Sequence, residues 1–556
     1  MHNTLYSLVA ALLLSLFPHA DNRLIASSIS QPNTISSTDY PSHAQMRSRL
    51  TTLSQAHPQL VKLESLARTA GEKDIWLLTI GRGDITRKPA LAIVGGVEGD
   101  HLLGSELALR FAEQLLARAS EPQINELLNH VSFYIFPDMS PDAREQYFLP
   151  LRYQRLGNAN PTDLDRDGRI GEDGYDDLNN DGLITMMRVE DPTGNWMPHP
   201  HDPRVMVQAR REKGERGQYL LLTEGIDNDK DGQFNEDGEE GVFFNRNFSF
   251  GYPAFTRGAG EHAVSETETR AIADFLFQAR NVFAVVSFGP ANNLSKPLTY
   301  NEREAGARIP TGWKETDIAI NRHISHLYNQ HLGSAAPEAA PGSGGDFFQW
   351  AYFHYGRYSF STPGWQVPKG EKPEGDAPES AELSFLQWAE KNQLENVFVP
   401  WTPVNHPDFP NQRVEVGGVV PFAMKNPPYA MTDSIARKHT GFILELAALH
   451  PRVEIMEVQT ERLARNLHRV TVRVHNTGTF STASKTGEQL RWMQKTVLRL
   501  TPASGQEVVS GKTIEVLGAL GGHSSVERSW IIRGNGTLTL QAGAEASGFA
   551  VTSISL

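Results

Sequence analysis

The stretch PALAIVGGV (89–97) is apolar almost without interruption, and it runs straight into GSELALRFAEQLLARA (104–119), whose apolar residues recur at helical spacing. A strand with no polar alternation has no solvent face, so it needs packing on both sides. A Gly-rich turn into an amphipathic helix supplies one of those sides. The same alternation returns along the chain: strand VSFYIFP (131–137), helix SETETRAIADFLFQA (265–279), strand VFAVVSF (282–288), helix TDIAINRHISHLYNQHL, strand RYSFST and a closing helix DSIARKHTGFILELAALH. Ahead of it, a short helix HAQMRSRLTTLSQAHP precedes two alternating runs, LVKLESLART and KDIWLLTIGRGD, that read as paired strands. Ser265 followed by Glu268 forms a capping-box pattern at one helix start. This order predicts an α/β fold, three-layer α/β/α with a mixed central sheet.

At 556 residues the chain exceeds one ordinary core. After about residue 450 the pattern changes to short alternating runs between turns, among them RVEIMEVQTERLARNLHRVTVRVHNTGTF, KTVLRLTP and TLTLQA. That predicts a C-terminal all-β sandwich over 451–556, following an α/β domain over 41–450. LYSLVAALLLSLF (5–17), ending in PHA at Ala20, reads as a signal peptide over 1–20, with a linker over 21–40. Its apolar run is too short to cross a bilayer, so no transmembrane segment is expected. With no cysteine there is neither a disulfide nor a thiolate metal site. These features predict an exported protein, periplasmic or extracellular, of bacterial type. The net charge of −13 speaks against a nucleic-acid partner.

An insertion at about 158–240 carries three aspartate-rich loops: DLDRDGRIGEDG, DLNNDGLITMMR and DNDKDGQFNEDG. Short oxygen side chains at alternating positions before a glycine can converge on one hard cation. The candidate calcium ligands are Asp163, Asp165 and Asp167; Asp177, Asn179 and Asp181; and Asp227, Asp229 and Asp231. Ile170, Ile184 and Phe234 are the expected apolar anchors. The bidentate glutamate of the twelfth position is missing from each loop, and Glu172 and Glu236 are the nearby substitutes. The competing reading is a solvated acidic insertion.

VFFNRNFSFG…HAVSETETRAIADFL (242–276) resembles the zinc carboxypeptidase family, the carboxypeptidase A-like metallopeptidases. The resemblance covers roughly residues 40–450, and it implies that family's fold and a peptide or protein C-terminus as partner. It makes Asn245 and Arg246 a clamp on the terminal carboxylate, for which a planar guanidinium is well suited. Arg155 falls where the family polarises the scissile carbonyl, and SPDARE (140–145) resembles the family's Asn-Pro-Asp-Gly turn with Ser140 and Ala143 substituted. The zinc positions have changed. Glu98 stands at the family's histidine and His101 at its glutamate, while Gly289 stands at the third ligand. Pro363 occupies the position of the catalytic glutamate, and Pro341 that of the mobile tyrosine. Zinc needs three protein ligands and a water, and proline can neither give nor take a proton. The expected function is therefore peptide C-terminus binding with little or no hydrolysis. The alternatives are an active zinc metallocarboxypeptidase with a rearranged site, or an envelope protein acting through its calcium loops and sandwich.

Overall fold

The structure, a computed structural model, describes residues 39–163, 168–235, 241–370 and 377–556. The signal peptide and nearly all of the linker therefore lie outside the described residues, as do Asp165, Asp167 and Glu236.

The continuous apolar runs become the middle of a six-stranded mixed sheet. Its strands are β1 (Val61–Arg68), β2 (Asp74–Ile80), β3 (Ala90–Val94), β4 (Ser132–Phe136), β9 (Val282–Phe288) and β10 (Tyr358–Thr362), in the spatial order β1-β2-β4-β3-β9-β10. β3 pairs parallel with β4 and β9, and β10 pairs parallel with β9, while β1, β2 and β4 pair antiparallel. Successive residues serve opposite layers. Leu91 and Ile93 join one core with α1 (His43–Ala56), α2 (Leu102–Ala117), α3 (Pro122–His130), α7 (Glu315–Leu332) and α10 (Tyr429–Ala448). Ala90, Ala92 and Val94 join a second core with α5 (Thr267–Gln278) and α8 (Phe347–Phe353). The three-layer α/β/α prediction holds. Three further helices, α4 (Pro141–Glu145), α6 (Glu302–Gly306) and α9 (Ala381–Lys391), complete the set among the described residues.

Two local expectations need correction. The helix α2 is buried on nearly all sides, so even Glu106 is fully enclosed and must be satisfied by Arg49 at 2.8 Å, Arg110 at 2.6 Å and the Tyr429 hydroxyl at 2.9 Å. The capping box at α5 does not form. Glu266 is the N-cap residue, and buried Asn247 serves that end by accepting from the Glu266 N–H at 3.3 Å and the Thr269 hydroxyl at 2.7 Å.

Four strands of the insertion and two from residues 398–419 build a second six-stranded sheet that the sequence pattern did not announce. It contains β5 (Met186–Glu190), β6 (Trp196–Pro198), β7 (Met206–Gln208), β8 (Tyr219–Thr223), β11 (Phe398–Val404) and β12 (Val414–Val419), ordered β11-β12-β5-β8-β6-β7. Beyond it, two antiparallel four-stranded sheets form the C-terminal region. One is β13 (Val453–Ala464), β14 (Leu467–Asn476), β18 (Ser525–Arg533) and β16 (Glu507–Ser510); the other is β17 (Ile514–Val516), β15 (Val497–Thr501), β19 (Thr537–Ala544) and β20 (Gly548–Ser555). Val470, Val472, Leu498, Leu540 and Trp530 fill the core they share.

Candidate functional site

In a parallel sheet the loops at the C-terminal strand ends are where ligands bind. Here the ends of β3, β9 and β10 gather six of the residues singled out from sequence. The turn after β3 is drawn tight against the next strand's exit: Gly96 takes φ +62, and a Cβ there would meet Asp138 Oδ1 at 2.2 Å. Only glycine fits both conditions. Burial pushes the Asp138 carboxyl up to about 6.

Glu98 and His101, three residues apart in that turn, face different surroundings. The Glu98 carboxylate accepts from Asn245 Nδ2 at 3.3 Å and lies 3.7 Å from the Lys425 ammonium. Burial raises its pKa, against the pull of Lys425. His101 is buried, and its ring reaches the backbone of Phe288 and Pro363 at the ends of β9 and β10. Burial pushes it down to about 4, and the Lys425 charge adds to that shift. His101 occupies the N-cap position of α2 but makes no capping bond. The cap comes from Asn426, whose Oδ1 accepts from the Leu103 N–H at 3.0 Å. A helix-capping role for the Glu98 and His101 side chains is thereby excluded.

Gly289 follows β9, and a Cβ built on it would meet Val97 Cγ2 at 2.4 Å. Position 289 is thus walled off by Val97 and carries no donor side chain. Pro363 follows β10 directly, and Pro341 follows the bridge between Asn292 and Ala340.

Asn245 and Arg246 lie in a single 3-10 turn, Phe244–Arg246. The Asn245 amide links two parts of the site, donating to Glu98 and accepting from the Phe347 N–H at 3.1 Å, at the start of α8. Arg246 donates from one Nη to the Arg257 carbonyl at 2.8 Å and stacks over Phe243 at 5.1 Å. Its charge also bears on Glu98. Arg155 is buried and donates to the carbonyls of Gly157 at 3.0 Å and Asn158 at 2.7 Å, so it holds the start of the insertion. Sequence reading had not foreseen that task. In SPDARE, Asp142 accepts from the Gly71 and Ala159 N–H groups, both at 3.1 Å, and ties the turn to its neighbours.

The aspartate-rich loops lie apart, around the second sheet. In each, the first aspartate accepts from the glycine five residues on: Asp163 from Gly168 at 3.0 Å, Asp177 from Gly182 at 2.8 Å and Asp227 from Gly232 at 3.1 Å. All three glycines take positive φ, at +99, +81 and +94. Asn179 and Asp181 bond to each other at 3.0 Å. Of the expected anchors, Ile184 is buried and Phe234 stacks on Phe409, but Ile170 is 58% exposed and anchors nothing. Among the described residues, the one set of three or more His, Asp or Glu whose ligand atoms converge, within 4.8 Å, is Asp227, Asp229 and Asp231.

A tetrahedral zinc does not fit the residues at the strand ends. Glu98 is engaged by an amide and an ammonium, and position 289 offers no donor and no room for one.

Lys425 and Asn426 were missed from sequence. They sit in the loop KNPPY, and no local pattern links that loop to the turn after β3.

Residues 46–194 match the zinc carboxypeptidase family, and residues 452–555 match a family described as a domain of unknown function (DUF8731). Carboxypeptidase E of Caenorhabditis elegans is 30% identical over 138 residues, covering 23% of this chain and 29% of the relative. Carboxypeptidase D of Mus musculus is 28% identical over 154 residues, covering 27% and 11%. The chain thus spans less than a third of the length of these curated relatives. Carboxypeptidase A from Helicoverpa armigera superposes with a TM-score of 0.35 at 15% identity, covering 61% of this chain and 66% of that one. Among the described residues no helix is long and apolar enough to cross a membrane. Over residues 46–194, then, this chain is similar to the zinc carboxypeptidase family.

Proposed function

We propose that this protein is exported and binds peptide or protein C-termini, with little or no hydrolysis. The observation that carries the reading is the closed third-ligand position, where Val97 fills the space beside Gly289. Pro363, at the base position, supports it, since it carries no group that exchanges a proton. What remains is recognition. Arg246 is the group for the terminal carboxylate, and Asn245 fixes its turn against Glu98 and α8. Arg155 acts behind them by holding the loop that passes Gly99.

Peptides with free C-termini should bind, and their amidated forms at least tenfold more weakly, because a charge-assisted hydrogen bond contributes about 1.5–3 kcal/mol. Arg246→Ala should erase the difference. Equal affinity of the wild type for free and amidated peptides would refute the clamp. Amino-acid release that tracks stoichiometric zinc would instead establish the active metallocarboxypeptidase, the reading favoured by Glu98 and His101 both surviving in one turn.

Calcium belongs to the same proposal as a structural ion. It is supported by the convergence of Asp227, Asp229 and Asp231. Saturating calcium at about a hundredfold over Kd would stabilise by about 2.7 kcal/mol. Calcium removal should lower the melting temperature, and Asp227→Asn should remove much of that response; an unchanged melting curve would return the loops to ordinary solvated turns.

A further inference from the structure

The segment between β12 and α10 makes a turn, residues 422–426, that is fastened to the start of α2. Phe422 is buried at φ +70. Besides capping Leu103, Asn426 donates to the carbonyls of Asp100 at 2.8 Å and Phe422 at 2.9 Å. These bonds set the backbone address of the residue before it. The Lys425 ammonium then lies 2.6 Å from Asp100 Oδ2 and 3.7 Å from Glu98 Oε2. Asp100 is 2% exposed, and a carboxylate that deep is costly without a matching charge.

A divalent metal at Glu98 would need to approach its oxygen to about 2.0–2.2 Å. It would arrive beside an ammonium of like charge, 3.7 Å from that carboxylate. The structure therefore contains the reason for its own misfit with zinc, and contains a replacement.

We propose that Lys425 is the resident cation of this site. Its chain-borne ammonium neutralises Glu98 and Asp100 and excludes a divalent metal from Glu98. The idea rests on the metal-free half of the proposed function and is tested without any peptide, so that failure of the Arg246 clamp leaves it standing and the reverse also holds.

The test uses full-length protein in calcium-containing buffer. Wild type, dialysed against zinc, should hold substoichiometric metal by mass spectrometry. Its melting temperature should move neither with added zinc nor with a zinc-selective chelator. Lys425→Ala should melt several degrees lower. Propylammonium, which replaces the missing part of the side chain, should recover part of that loss, whereas propanol should not. Lys425→Met should also melt lower, and adding Asp100→Asn should restore part of the difference. If Lys425→Ala does not fold, the wild-type zinc measurement and the Lys425→Met pair decide alone. Stoichiometric zinc that stabilises the wild type would overturn the proposal. So would lysine variants as stable as wild type, rescue by propanol equal to that by propylammonium, or no recovery on adding Asp100→Asn.

Discussion

A side chain at position 289 would have to pass through Val97. The 2.4 Å approach to Cγ2 is far inside van der Waals contact, and Val97 is itself 2% exposed in a packed core, so it has little room to yield. Placing a histidine there by Gly289→His should therefore overpack the turn and cost about 1–3 kcal/mol. It should bring no zinc, because Glu98 stays bound to Lys425 and Asn245. Adding Val97→Ala should return much of the stability. Thermal melting and zinc content of the two variants check both halves, and stoichiometric zinc in Gly289→His alone would show that residue 289 was the only obstacle. The glycine itself is legible in the sequence. The valine that closes its space is not, because residues 97 and 289 meet only after β3 and β9 pair in parallel. Lys425 was hidden for the same reason: a lone lysine among prolines carries no signal until the turn at 422–426 is laid on α2.

At the scale of elements, the strands and helices of the main sheet were readable because each side chain's destination is set by its own period, two for strands and 3.6 for helices. The second sheet was not. Its strands β6 and β7 are three residues each, and β11, FVPWTPV, contains two prolines that argue against a strand and are tolerated because β11 is the sheet edge. Nor does local pattern tell which buried polar group an element will carry. In α10, His439 is fully enclosed between Tyr328 and Phe288, with Nδ1 on the Ile435 carbonyl at 3.0 Å. Burial pushes it down from 6.5 to about 4. In that window the unfolded chain binds the proton and the folded chain does not, so stability falls as pH drops from about 6.5 towards 4 and is unaffected above. At about 1.4 kcal/mol per unit, the full contribution is about 3 kcal/mol. His439→Gln should make the loss of stability over this window shallower without removing it, since His43 and His450 are pushed down in the same way. Denaturant melts at pH 7.5, 6 and 5 measure the slope; an identical slope in the variant would mean that His439 is protonated in the fold.

For the whole molecule, what matters is how firmly the C-terminal sheets belong to the α/β layers. The residues connecting β14 to β15 are anchored in the other region's interior. Phe480 is fully buried and sits edge-on to Phe283 at 5.2 Å, Tyr358 at 5.0 Å and Phe360 at 6.2 Å, within the core of the main sheet. Trp492 stacks on Tyr355 at 5.3 Å, and the Asp317 carboxylate at the start of α7 accepts from the Lys485 N–H at 2.9 Å and the Thr486 N–H at 3.3 Å. An appendage joined by a loose linker would leave its neighbour's core complete; this one supplies part of it. Phe480→Ala should therefore cost about 3–5 kcal/mol, the usual range for a buried phenylalanine, and the loss should appear in the unfolding of both regions together. A chain ending at residue 450 would expose Phe283, Tyr355 and Tyr358, and should aggregate or melt far below the full-length protein. Calorimetry of the full chain and of Phe480→Ala separates the possibilities. One shared transition that moves down in the variant is the expected result, while two transitions of which only one moves would mean that the sheets beyond Val453 fold on their own.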